Sequence, residues 1–272
     1  MPIFEKKQYC STKQAWYLCG KKIASLPACR KNFLSDRGSV KFGVSYSVFD
    51  GEELLEESIK SIRQQVDYVN VVYQFISWRG SACDANLLNL LQDLQQRKLI
   101  DELIFFEPDL KKSPQINETE KRNIGLQAAL KAGVNYFMTM DVDEFYRAEE
   151  VQRAKKIILE KQITHSYCPQ IIYVSSTQRL LEHDRSYVPF FGKVDKFSKL
   201  GANEFAPCLS DPTRKLLERK CSKHYVLNGI AMHHFTKVRK DIDKKNNNSS
   251  LDKVRGVEGE VVEGGYGLLI KN

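Results

Sequence analysis

The chain has no uninterrupted apolar stretch near the ~20 residues that a bilayer-spanning helix needs. The first residues, MPIFEKKQYCSTKQAW, hold no apolar core of a secretory leader, so none is expected. Neither a GxGxxG run nor a P-loop occurs, which removes the common glycine-rich phosphate cradles. No CxxC pair occurs either. The seven cysteines (10, 19, 29, 83, 168, 208 and 221) are scattered and match no common zinc spacing. A reduced, cytoplasmic compartment is the simplest expectation from such a set. With 15 glycines in 272 residues, collagen-like and small disulfide-framework classes are excluded. No helix-turn-helix, zinc-finger or aromatic RNA-binding signature is visible, so nucleic acid is not an expected partner.

What is present is the composition of a folded globular protein. Residues are 42% apolar and 28% charged, and 14 Phe, 12 Tyr and 2 Trp supply ample core material. The net charge of +8 is unevenly spread. Residues 1–41 carry nine Lys/Arg against two acids, and 214–255 carry twelve against four. Two basic ends therefore flank an acidic middle. They suit polyanions: phosphate groups, nucleic acid or peripheral contact with an anionic membrane face.

Residues 1–40 are weakly patterned and are expected to form a basic N-terminal extension packed on or flanking a single domain, 41–272. From Lys41 the pattern sharpens. KFGVSYSVF (41–49), YVNVVYQFI (68–76), IDELIFFEP (100–108) and VNYFMTMDVDEFY (134–146) read as strands. Between them lie helical patterns. The first has apolar positions Leu54, Leu55, Ile59, Ile62 and Val66, and the second is ANLLNLLQDLQQRKL. The third is EKRNIGLQAALKAG (120–133), preceded by an unpatterned loop. The βαβαβαβ order predicts an α/β fold with a doubly wound, mostly parallel sheet flanked by helices. IIYVSS (171–176) is expected to add a strand, and 177–213 reads as loop-rich.

MTMDVDEFY carries the chemistry. In an open α/β sheet, ligands bind at the carboxyl ends of strands. Asp141, Asp143 and Glu144 arrive together at such an end, where carboxylates repel one another and lose solvation. A hard divalent cation, Mn²⁺ or Mg²⁺, relieves both effects. Helix capping by Asp143 is the competing explanation. Lys121, Arg122 and Asn123 fall in the first turn of the predicted third helix, where a basic pair and the helix dipole make an anion site.

The two segments SVFDGEELLEESIKSI and EKRNIGLQAALKAGVNYFMTMDVDEFY resemble, in order and spacing, the nucleotide-sugar half of bacterial GT-A fold glycosyltransferases of the family 2 type. The resemblance covers 41–146 and leaves 147–272 as an acceptor half. It implies a metal-dependent hexosyl transfer from a nucleotide-sugar donor to a glycan or lipid-linked acceptor hydroxyl. Asp141 and Asp143 would hold the ion. Lys121, Arg122 and Asn123 would lie near the nucleotide or sugar. Tyr46, Phe49, Asp50 and Glu52 would border the base and ribose. One departure is that the second strand ends in Gln74 and Ser77, with no acid for the base.

In GIAMHHFTKVRKD a neutral imidazole can complete the metal site. His234 is preferred over His233 because it directly precedes Phe235, as in the late block of bacterial family members. An inverting enzyme of this type needs a general base. Asp211, Glu204 and Asp184 are the candidates, with Asp211 ahead of Glu204; a helix cap is the alternative role for Asp211. Expected location is cytoplasmic, peripheral at the inner membrane face. A nucleotidyltransferase, a nucleic-acid-binding module and a catalytically inactive donor-binding protein are the rival readings.

Overall fold

The computed structural model describes residues 4–9, 13–18, 21–26, 39–173, 178–181, 187–201, 212–217, 222–238 and 260–263. The chain divides into two compact units, Met1–Ser39 and Val40–Asn272. In the first, β1 (Phe4–Tyr9), β2 (Lys13–Leu18) and β3 (Lys21–Leu26) form an antiparallel meander in the order β1-β2-β3.

The second unit begins with four parallel strands. They are β4 (Phe42–Val48), β5 (Tyr68–Tyr73), β6 (Glu102–Phe105) and β7 (Tyr136–Met140), in spatial order β6-β5-β4-β7. The helices between them are α1 (Glu52–Arg63), α2 (Leu87–Gln96) and α3 (Pro114–Lys131); α4 (Ala148–Lys161) follows β7. β4 is buried on both faces, as a central parallel strand must be. One core joins Val44, Tyr46 and Val48 to Leu55, Ile59 and Ile62 of α1, Leu91 of α2 and Ile158 of α4. A smaller one packs Leu126 and Ala129 of α3 on Phe137 and Tyr68. Helices therefore cover both sides of the sheet.

The second half extends this sheet with antiparallel strands. β9 (His165–Tyr173), β10 (Gln178–Leu181), β11 (Tyr187–Lys193) and β16 (Glu260–Glu263) complete the order β16-β10-β9-β11-β7-β4-β5-β6. β8 (Glu144–Phe145) pairs with β15 (Met232–His234), and β14 (His224–Val226) lies parallel to β9. β12 (Leu200–Gly201) and β13 (Lys215–Leu216) make a two-stranded pair. The described residues thus form a mixed α/β architecture, a parallel half continued by a largely antiparallel one.

Two elements differ from the sequence pattern. The predicted loop over 109–119 and helix over 120–133 are largely one helix, which starts at Pro114. Ser113 caps it by accepting from Ile116 N at 3.3 Å. Lys121, Arg122 and Asn123 therefore sit two turns inside α3, away from its positive end. The anion site expected from the helix dipole is absent at that position. The second difference is the stretch read as loop-rich, which holds β10, the interior strand β11 and β12; the register of β11 shifts between Pro189 and Gly192. Among the described residues, no helix is long and apolar enough to cross a membrane.

Candidate functional site

The chain leaves β4 toward β5 on one side and later returns to place β7 on the other, so a crevice opens at the carboxyl ends of β4 and β7. Phe49–Glu52 edge it from β4, Gln74–Trp78 from β5 and Asp141–Glu144 from β7.

The acidic turn is held by two arginines. Arg122 Nη2 donates to Asp141 Oδ1 and Oδ2 at 3.1 and 3.3 Å and to Glu118 Oε1 at 2.7 Å. Its Nε donates to Thr213 Oγ1 at 3.1 Å. Arg214, in the short 3₁₀ turn Pro212–Arg214, spans two carboxylates. Nη2 reaches Asp141 Oδ2 at 2.6 Å and Nη1 reaches Glu144 Oε1 at 2.7 Å. Glu144 Oε2 accepts from Asp141 N at 3.1 Å, and Ser58 Oγ donates to Glu144 O at 2.6 Å. Burial pushes the Glu144 carboxyl up from its ordinary value, while the Arg214 guanidinium pulls it back. Arg122, Arg214 and Glu144 are all buried, so these are ion pairs in a low dielectric, with geometry tightly set.

Asp143 is buried beside β15. Its Oδ1 lies 3.5 Å from His234 Nε2, and its carbonyl accepts from Phe235 N at 2.8 Å. His233 points elsewhere, with Nδ1 2.9 Å from Tyr173 OH. Two donors, a carboxylate oxygen and an imidazole nitrogen, thus face one another across a gap that suits a divalent ion. Asp141 does not fit the same role in this arrangement. Both its oxygens already accept from guanidinium groups, and an ion there would meet two positive charges. Among the described residues, no group of three or more His, Cys, Asp or Glu side chains gathers around a common centre. A bound ion would therefore draw the rest of its shell from water or a ligand.

Lys121 is 1% exposed. Its Nζ donates to Val48 O at 2.8 Å and Gln74 Oε1 at 2.9 Å, and lies 5.5 Å from the Trp78 ring centroid. It bolts the end of β4 to the end of β5. Burial first, and then the neighbouring Arg122, lower its pKa from 10.5 to about 7. Gln74 Nε2 in turn donates to Ile76 O at 2.7 Å, and Ser77 Oγ accepts from Arg79 N and Ser81 N. The two residues at the departure from the family pattern are thus engaged in holding their own loop.

Other candidates are placed differently from expectation. Tyr46 lies wholly inside the core, its OH 3.1 Å from Ser58 Oγ, because strand alternation points it under α1 and away from the crevice. Asn123 clamps β12, donating to Leu200 O at 3.0 Å and accepting from Leu200 N at 2.9 Å. It is thereby engaged by that strand rather than at the helix start where it was expected. Phe49, Asp50 and Glu52 do stand at the crevice edge, half-buried. Glu52 Oε2 is a buried oxygen with no hydrogen-bond partner among the described residues. Asp211, Glu204 and Asp184 lie outside the described residues. The sequence pattern missed Arg214, Thr213 and Glu118 as parts of the site. The only signal was the closeness of Arg214 to Asp211 in LSDPTRKL.

No protein-family model matches the chain, and no curated protein matches it. Among solved structures, S. aureus TarS is similar with a TM-score of 0.37 and 17% identity, over 49% of this chain and 22% of that one. Residues 1–349 of TarS in complex with UDP-GlcNAc give 0.36 and 16%, over 49% of this chain and 35% of that one. A mannose-1-phosphate geranyltransferase from Thermus thermophilus gives 0.32 and 13%, over 57% of this chain and 50% of that one. The chain thus spans half or less of the length of each of these proteins.

Proposed function

We propose that the protein is a glycosyltransferase that takes a sugar from a nucleoside-diphosphate donor to a hydroxyl of a glycan or glycolipid, with inversion. The observation that carries this reading is the placement of Asp143 and His234, with the Arg122–Asp141–Arg214 network, at the crevice between β4 and β7. Asp143 and His234 would hold Mn²⁺ or Mg²⁺, which when bound offsets the negative charge that grows on the leaving diphosphate. The arginine network fixes the acidic turn, so the donor meets a preorganised surface. Phe49, Asp50 and Glu52 border the ribose end, and Glu52 Oε2 has hydrogen-bonding capacity to offer a hydroxyl. Lys121 holds the strand ends that frame the base. The acceptor hydroxyl gives its proton to a carboxylate of the second half. Asp211 is the first candidate because it precedes Pro212–Arg214 in sequence, and Glu204 the second. The work is done in the cytoplasm.

Thermal-shift titration with UDP, GDP and CDP, each with and without Mn²⁺ or Mg²⁺, tests the reading. Ligand at 100 times its Kd stabilises by about 2.7 kcal/mol. One nucleotide should shift the transition only when metal is present, and Asp143→Asn should remove the metal dependence. A folded protein that shifts with none of them is not a nucleotide-sugar enzyme.

A further inference from the structure

At the opposite end of the sheet, one surface combines exposed apolar and basic side chains. β11 ends at Lys193, which pairs with Tyr136 at the start of β7. Asp141 follows the far end of β7, so roughly 16 Å of strand separates this surface from the acidic turn. A tight turn follows β11. Asp195 N donates to Ser198 Oγ and Ser198 N to Asp195 O, both at 2.9 Å, and Phe197 N donates to Asp195 Oδ1 at 2.8 Å. One oxygen of the exposed Asp195 carboxylate thereby accepts from the backbone, Ser198 is buried, and Phe197 is exposed. Phe197 is 73% exposed, more than any other large apolar side chain among the described residues. Lys196 Nζ lies 5.0 Å from its ring centroid. Lys199 is exposed beside it. The carbonyl of Lys199 accepts from the amide of Leu217 at 3.0 Å, and Leu217 is itself 39% exposed. Lys41 and Lys131 are exposed at the same end of the sheet. Val194 N donates to Asn135 O at 2.9 Å, and Asn135 Oδ1 accepts from Lys41 N at 2.9 Å.

We propose that this turn is a peripheral contact with an anionic bilayer. Phe197 and Leu217 enter the headgroup layer, and the exposed Lys196 and Lys199 face the lipid phosphates. An exposed ring with Lys196 over it and Lys199 nearby in sequence gains from both halves of such an interface. A nucleic acid fits less well: single strands are held by successive stacked rings, and among the described residues of this turn Phe197 is a single exposed ring. The contact is remote from the crevice, so it stands or falls independently of the donor reading.

The test is co-sedimentation of the full chain with phosphatidylcholine vesicles, with and without phosphatidylglycerol. Binding should require the anionic lipid and weaken as salt is raised. Phe197→Ser should weaken it about tenfold, and Lys196→Gln or Lys199→Gln about fivefold each. Because Phe197 is exposed, these variants should melt as the parent does and keep its response to nucleotides. In the Phe197→Trp variant, brominated lipid should quench the added fluorescence. Parent-like binding by Phe197→Ser, no quenching, equal binding to neutral vesicles, or tighter binding to RNA than to vesicles would each overturn the proposal.

Discussion

Lys121→Met is the substitution whose outcome is most closely fixed by the structure. The lysine is buried, and its pKa falls from 10.5 to about 7. Each pH unit between those values is about 1.36 kcal/mol, so the protonated form is disfavoured by roughly 5 kcal/mol in the fold. Between the two values the unfolded chain binds the proton and the native chain does not. The parent's stability therefore rises with pH across that window, and the full penalty is present below about 7. Methionine is of similar volume and carries no charge. The variant escapes the penalty but leaves Gln74 Oε1 without its donor, at about 1–3 kcal/mol. Val48 O keeps a partner, since it also accepts from Gln74 N at 3.3 Å. The two effects have opposite pH dependence. Near pH 6 the variant should be the more stable by roughly 2–4 kcal/mol. Near pH 10 the neutral amine keeps both hydrogen bonds and the penalty has fallen to about 1 kcal/mol, so the parent should draw level or lead by up to about 2 kcal/mol. Urea unfolding of both proteins, followed by far-ultraviolet circular dichroism across that range, reads the difference directly. A gap that stays constant with pH would refute the reasoning, because a purely steric or packing role has no such slope.

Two other substitutions test the frame around the crevice. Arg214→Gln removes one partner from the buried Glu144 pair and should destabilise by about 3–5 kcal/mol, or roughly 6–20 °C in Tm for a chain of this size. A loss under about 1 kcal/mol would mean that the pair behaves as a surface ion pair. At Gly125 an added Cβ would overlap Ser45 Oγ and crowd Ser45 Cβ at 2.8 Å, where α3 lies on β4. At Gly192 it would meet the tip of the Leu216 side chain, which can swing. Gly125→Ala should therefore lower stability by about 1–3 kcal/mol or more, and Gly192→Ala by less. Equilibrium unfolding that ranks them the other way would contradict the account of α3 packing.

The parallel half was legible because its periodicity is simple. Of the positions picked for α1, Leu55, Ile59, Ile62 and Val66 are buried, and the strand runs around Val44, Val69 and Met138 form the sheet. The start of α3 was not legible from apolar spacing. This helix buries Asn117, Lys121 and Arg122 as well as Leu126 and Ala129, so its inner face is partly polar and the usual stripe is broken. The Ser113–Pro114 pair did announce the start, through capping chemistry. β11 hides for a different reason. Pro189 cannot donate to a ladder and Gly192 weakens a strand, which reads as loop, yet the register shift between them absorbs both.

The acidic turn shows where local reading of a site stops. Three carboxylates at a strand end demand positive charge, and proximity in sequence suggests a metal for the first two alike. The fold supplies arginines from 19 and 73 residues away, and both go to Asp141. This divides the acids by chemistry. A guanidinium has donors and no lone pair to offer, so an ion at Asp141 must displace Arg122 or Arg214 and then sit against their charge. One neighbour of Asp143 is an imidazole nitrogen 3.5 Å away, which unlike a guanidinium can offer a lone pair to a metal. An ion entering between Asp143 and His234 keeps both as donors and leaves the arginine network intact. On the proposed reading the second acid of the pair would be the place for a cation, while the first is the post to which Arg122 and Arg214 are tied.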